Sequence, residues 1–74
     1  MTAVAPVQER AVLTRLIILQ AGEHVVRRDG AFRATTAAVA REAFVSIGTF
    51  YRYFPDMPSL LDELGYVAVK KATT

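Results

Sequence analysis

The side chains best suited to chemistry in this chain lie in one short stretch, VSIGTFYRYF at residues 45–54. Two small residues, Gly48 and Thr49, precede four aromatic residues that surround a single arginine, Arg52. Thr49 offers a hydroxyl group and a methyl group, which can meet a base edge or a thymine methyl. Arg52 can reach a phosphate or a guanine. This combination favours contact with the groove of a nucleic acid.

A helix through this stretch turns by about 100° per residue, so Phe50 and Phe54 share one face and are predicted to be core residues. The opposite face carries Gly48, Thr49 and Arg52, with Tyr51 and Tyr53 on its two sides. The tyrosine hydroxyls can donate to phosphates on either wall of a groove. A glycine inside a helix costs about 1 kcal/mol relative to alanine. Close approach of the backbone to a groove floor would explain that cost at Gly48.

Each of these residues also has a purely structural interpretation. Tyr51 and Tyr53 fit the edge of a small core, half-buried, as well as they fit a groove wall. Arg52 taken alone is a solvated surface residue. Ile47 is a core-edge residue by periodicity, and it becomes a base contact if the N-terminal end of its helix enters the groove.

Composition excludes several classes of function. The chain has 74 residues, no cysteine and a single histidine, His24, so thiolate and multi-histidine metal sites are not expected. No nucleophile–base pair or phosphate-binding loop is readable, and we expect neither an enzyme nor a cofactor. No apolar run approaches the roughly 20 residues of a membrane span, and the N-terminus does not resemble a signal peptide. We therefore expect a cytoplasmic protein that does not enter a membrane.

The hydrophobic periodicity predicts an all-α fold of four helices. A flexible N-terminal arm at residues 1–7 precedes a helix-turn-helix DNA-binding domain at residues 8–74. The helices are predicted at residues 8–28, 36–43, 47–53 and about 57–71. The second and third are short and joined by about three residues, which is the spacing of a helix-turn-helix at about residues 35–54.

Local signals place the helix ends. Thr35 or Thr36 can cap the second helix, and Ser46 and Asp56 can cap the third and fourth. Gly30 is a plausible stop for the first helix. A helix N-terminus also attracts anions, so the two threonines could receive a phosphate in addition to capping.

The run TTAAVAREAFVSIGTFYRYFPDMPSLLDEL resembles the DNA-binding segment of the TetR (tetracycline-repressor-like) transcriptional regulators. The resemblance covers about residues 9–65. It implies a three-helix, homeodomain-like bundle followed by the start or whole of a fourth helix, with the third helix in the major groove of double-stranded DNA. It places Thr35 and Thr36 near phosphate, Ile47, Gly48 and Thr49 against bases, and Tyr51 and Tyr53 against the backbone or nearby bases.

Three departures from the family pattern stand out. Phe44 occupies a turn position where the family usually has glycine, so the turn is strained, rearranged, or exposes the ring. Met57 replaces a lysine that usually grips phosphate, and this should weaken binding and lower its salt dependence by about one counterion. The sequence also ends after the fourth helix, without the C-terminal helical domain that binds an effector ligand and dimerises the family.

These departures leave two hypotheses. The first is sequence-specific DNA binding by a TetR-like regulator, generally a repressor. It implies a homodimer in a full-length context, whereas this chain alone could also be a monomer. It also implies that no effector ligand binds without a C-terminal domain. The alternative is a truncated or degenerate helical module that acts through protein–protein interaction, by its first and fourth helices, rather than by binding DNA.

Overall fold

In the computed structural model the described residues are 6–66, with side chains described from residue 9 onward. Every regular element in this part of the chain is a helix, which confirms the predicted all-α class. The four helices are α1 (Pro6–Asp29), α2 (Thr36–Ala43), α3 (Ile47–Tyr53) and α4 (Met57–Glu63). The first three match their predicted ranges to within two residues.

The long helix α1 begins at Pro6, inside the segment predicted to be a flexible arm. Proline is tolerated in a first helical turn because its missing N–H would have no helical partner there. At the other end, Gly30 adopts a φ of 92° and donates its N–H to the carbonyl oxygen of Val26 at 2.7 Å. The predicted glycine stop is confirmed, since only glycine adopts this conformation without steric cost. Residues 1–5 lie outside the described part of the chain.

All four helices contribute to one hydrophobic core. Its largest fully buried side chains are Phe50, Ile18, Leu60, Val25 and Val39. The predicted core role of Phe50 and Phe54 is confirmed, with exposed fractions of 0% and 2%. The alanine-rich α2 buries Val39, Ala40 and Ala43, the inner stripe that its spacing predicts.

The packing of α1 on α4 depends on a glycine that the sequence analysis did not explain. A Cβ atom built on Gly22 would lie 2.7 Å from Cδ2 of Leu60, well inside van der Waals contact. Glycine at this position therefore lets the buried Leu60 side chain lie directly on the α1 backbone. Nearer the N-terminus of α1, the Arg15 guanidinium pairs with Glu63 at 2.9 Å and lies 5.0 Å from the ring centre of Phe54.

The predicted extent of the fourth helix, to about residue 71, is too long. Helix α4 ends at Glu63 because Gly65 adopts a φ of 92°. The N–H of Tyr66 then returns to the carbonyl oxygen of Leu61 at 2.9 Å, a hydrogen bond typical of a helix terminated by glycine. Gly65 thus ends the helix. Residues 67–74, which include the rest of the predicted helix, lie outside the described residues.

Candidate nucleic-acid interface

Helices α2 and α3 are joined by a tight turn at Phe44. This residue has φ 61° and ψ 38°, and it is the only non-glycine residue with a positive φ among residues 6–66. The N–H of the next residue, Val45, donates to the carbonyl oxygen of Ala40 at 3.0 Å, so the turn keeps a regular hydrogen-bonded geometry. Phe44 therefore keeps the turn in a left-handed backbone conformation that is strained for a non-glycine residue, and its ring is 95% exposed.

The N-terminus of α2 is capped by Thr35. Its side-chain oxygen accepts a hydrogen bond from the N–H of Ala38 at 3.1 Å. The neighbouring threonine has a different role, since Thr36 Oγ1 lies 2.9 Å from the hydroxyl of Tyr51 on α3. The two predicted phosphate-contacting threonines are therefore not equivalent. Thr35 caps α2, and Thr36 connects the start of α2 to the middle of α3.

Ser46 organises the N-terminus of α3. Its Oγ accepts a hydrogen bond from the N–H of Thr49 at 3.0 Å, as predicted for an N-cap. It also donates to Thr49 Oγ1 at 2.9 Å, a second bond that the sequence analysis did not anticipate. A serine three residues before a threonine is the sequence pattern that could have predicted this second bond. The Thr49 hydroxyl accepts this bond and keeps its own proton and one lone pair for other partners.

The open face of α3 is not centred where the helical wheel placed it. Exposed residues occur at four positions in an i, i+1, i+4, i+5 pattern, and these are Ile47, Gly48, Tyr51 and Arg52. Thr49 and Tyr53 are half-buried beside this face. The structure thus places Ile47 on the open face with Gly48, Tyr51 and Arg52 rather than at the core edge.

The Tyr51 side chain has one partner for its ring and another for its hydroxyl group. It packs edge-on against the buried Phe50 ring, with ring centres 5.5 Å apart and planes at 87°. Its hydroxyl is bonded to Thr36, as described above. Because both the ring and the hydroxyl have partners, the side chain is oriented before any ligand arrives. Pre-orientation of this kind lowers the entropic cost of binding.

Gly48 has no internal packing reason to be a glycine. Outside the helix backbone and its chain neighbours, the described residues place only Ser46 Oγ within 4 Å of a Cβ built on Gly48, at 3.9 Å. This contrasts with Gly22, whose Cβ position is occupied by Leu60. The space in front of Gly48 is open, so its backbone is free to approach an external surface.

The arginines divide into two groups. Arg15, Arg27 and Arg28 form ion pairs with carboxylates. Hydrogen bonding to Asp29 raises the pKa of Arg28, and the same bond lowers the pKa of Asp29. Among the described side chains, four arginines have no ion pair with a carboxylate, namely Arg10, Arg33, Arg41 and Arg52. The last three of these lie within or next to the helix-turn-helix.

Other potential sites are weaker. His24 and Glu42 pair at 2.6 Å between α1 and α2, and no group of three or more metal-ligating side chains occurs among the described residues. Met57 begins α4 and packs, half-buried, against the core, while Asp56 caps that helix through the N–H of Ser59 at 2.9 Å. Within residues 6–66, no helix is both long and apolar enough to cross a membrane.

Comparison with known proteins agrees with this arrangement. The family described as "Bacterial regulatory proteins, tetR family" matches residues 18–64, from the middle of α1 to the end of α4. No curated protein and no solved structure matches the chain. The family match covers more than half of the sequence and the whole helix-turn-helix, so the chain belongs to the tetR family of DNA-binding transcription regulators.

Proposed function

We propose that this chain binds double-stranded DNA sequence-specifically, with α3 in the major groove, as the DNA-binding part of a cytoplasmic transcriptional repressor. The observation that carries the proposal is the open face of α3, where Gly48 has nothing in front of it and Ile47, Tyr51 and Arg52 are exposed. A major groove admits a helix of this size. Family membership supports DNA as the partner.

The residues around this face supply the expected phosphate contacts. Tyr51 and Thr36 together present two linked hydroxyls between the start of α2 and the middle of α3. Each hydroxyl oxygen in such a pair has hydrogen-bonding capacity beyond the bond they share. Arg33, Arg41 and Arg52 are exposed and can neutralise phosphates. Phosphate contacts of this kind fix the register of the helix in the groove, and base contacts then give specificity.

Recognition of an extended operator requires two copies of the domain. Helix-turn-helix dimers bind half-sites about 34–36 Å apart, one turn of DNA. We propose that this chain reads one half-site alone and acts as part of a homodimer in a full-length context.

Fluorescence anisotropy of the 74-residue chain against a random 24-base-pair duplex pool tests the proposal, with the salt concentration varied. We expect the binding constant to fall with salt, because each phosphate contact releases a counterion. Arg52→Gln should reduce the slope of log K against log salt by about one. Arg10→Gln, an equal charge change on α1 outside the helix-turn-helix, is the matched control and should leave the slope nearly unchanged.

A protein–protein role remains the second candidate because of one specific observation. Val12, Leu13, Leu16 and Ile17 are all about half exposed and form a continuous apolar stripe on α1. Exposed apolar patches commonly mark interaction surfaces. A chain that shows no salt-dependent DNA binding, but changes sedimentation coefficient on mixing with another helical tetR-family protein, would favour this role over the first.

A further inference from the structure

The first turn of α3 presents an aliphatic side chain on the open face of the helix. Ile47 is 44% exposed, and its neighbour Gly48 has no side chain. The two nearby hydroxyl groups each have one partner within the protein: the Thr49 hydroxyl accepts from Ser46, and the Tyr51 hydroxyl is bonded to Thr36. The aliphatic side chain of Ile47 is therefore an exposed apolar group at the end of the helix that would enter the groove first.

An isoleucine side chain has no hydrogen-bond donor or acceptor, so it cannot read guanine, cytosine or adenine through their polar edges. In the major groove, the thymine C5-methyl group is the one apolar feature that distinguishes a base pair. We propose that Ile47 is a specificity-determining residue that selects thymine by contact with this methyl group. The inference rests on the proposed function and adds the base that the site prefers.

The surroundings of Ile47 suit this role. Gly48 leaves the helix backbone free to come close to the groove floor, which a short apolar side chain needs in order to touch a base. Arg52 lies five residues further along α3, about 7.5 Å along the helix axis. Ile47 and Arg52 therefore lie near opposite ends of the open face of α3.

The first step of the test is a selection from a random duplex pool, run in parallel with the wild-type chain and with Ile47→Ala. The wild-type motif should contain at least one strongly enriched thymine that the alanine variant does not enrich. Ile47→Val, which keeps a branched apolar side chain, should retain this enrichment. Circular dichroism of the three chains checks that each is folded, which we expect because Ile47 lies outside the buried core.

The second step replaces that thymine by deoxyuracil, which removes only the C5-methyl group. Loss of one buried methyl group should weaken wild-type binding about fourfold. The same replacement should not change binding by Ile47→Ala. Equal losses for both proteins, or no loss for the wild type, would overturn the inference, as would a wild-type motif without an enriched thymine. Absence of salt-dependent binding to any duplex would instead overturn the proposed function itself.

Discussion

The hydroxyl groups of Thr36 and Tyr51 lie 2.9 Å apart and join the first residue of α2 to the middle of α3. The bond spans the turn at Phe44 and connects the two helices of the proposed DNA interface. Because Tyr51 is also braced by the ring of Phe50, the positions of both hydroxyls depend on the packing of the core. The contact thus connects the stability of the bundle to the geometry of the proposed interface.

Removal of the tyrosine hydroxyl tests this connection. Tyr51→Phe should destabilise the fold by only about 0.5–1.5 kcal/mol, the net worth of one hydrogen bond, but should weaken DNA binding clearly. Tyr66→Phe, the same change in the turn after α4, is the control and should leave DNA affinity unchanged. Chemical denaturation and anisotropy give the two quantities.

A double-mutant cycle with Thr36→Val then separates the shared bond from independent contacts. If the two hydroxyls act as a pair, the effects of Thr36→Val and Tyr51→Phe on stability will not add. Strict additivity in stability would mean that the bond contributes nothing to the folded state.

Gly48→Ala should separate folding from DNA binding. Apart from its chain neighbours and the backbone of its own helix, the new methyl group meets no described atom closer than 3.9 Å, so the fold should be unchanged or stabilised by up to about 1 kcal/mol. DNA affinity should fall, since the methyl group lies on the face that we propose enters the groove. An unchanged affinity in the anisotropy assay would show that α3 does not approach DNA through Gly48.

Gly22→Ala should have the opposite effect on stability. Its methyl group would lie 2.7 Å from Cδ2 of Leu60, which is fully buried and has little room to move. Overpacking of this kind costs about 1–3 kcal/mol, against about 1 kcal/mol gained from helix propensity. We expect a net loss in the free energy of unfolding, measured by urea denaturation. Leu60→Val in the same chain should recover part of the loss, and a failure to do so would place the strain elsewhere.

Phe44→Gly should stabilise the protein. A left-handed conformation costs a non-glycine residue about 1–2 kcal/mol, and the exposed Phe44 ring has little packing to lose. The gain is reduced by the greater freedom of glycine in the unfolded chain, so we expect a net increase of about 1 kcal/mol or less. Phe32→Gly is the matched control, because Phe32 is as exposed but has no positive φ. A similar effect at both positions would refute the strain at Phe44.

Much of the secondary structure was predictable from single residues and their near neighbours. Thr35, Ser46 and Asp56 each cap a helix, and Gly30 ends one. Capping depends on atoms within three or four residues, so the necessary information is local. The predicted end of α4 is wrong because the apolar spacing continues past Gly65, whereas the positive φ of that glycine already terminates the helix.

The sequence by itself determined the helix-turn-helix, the buried aromatic face of α3 and the family to which the chain belongs. Only the tertiary structure decided that the Tyr51 hydroxyl bonds to Thr36, why Gly22 must be small and that Ile47 lies on the open face. These features arise between residues that lie far apart in sequence or from the exact rotation of a short helix against its neighbours. A periodic pattern identifies a helix face only to within about one residue, or 100°, whereas packing against α1 and α2 sets that rotation.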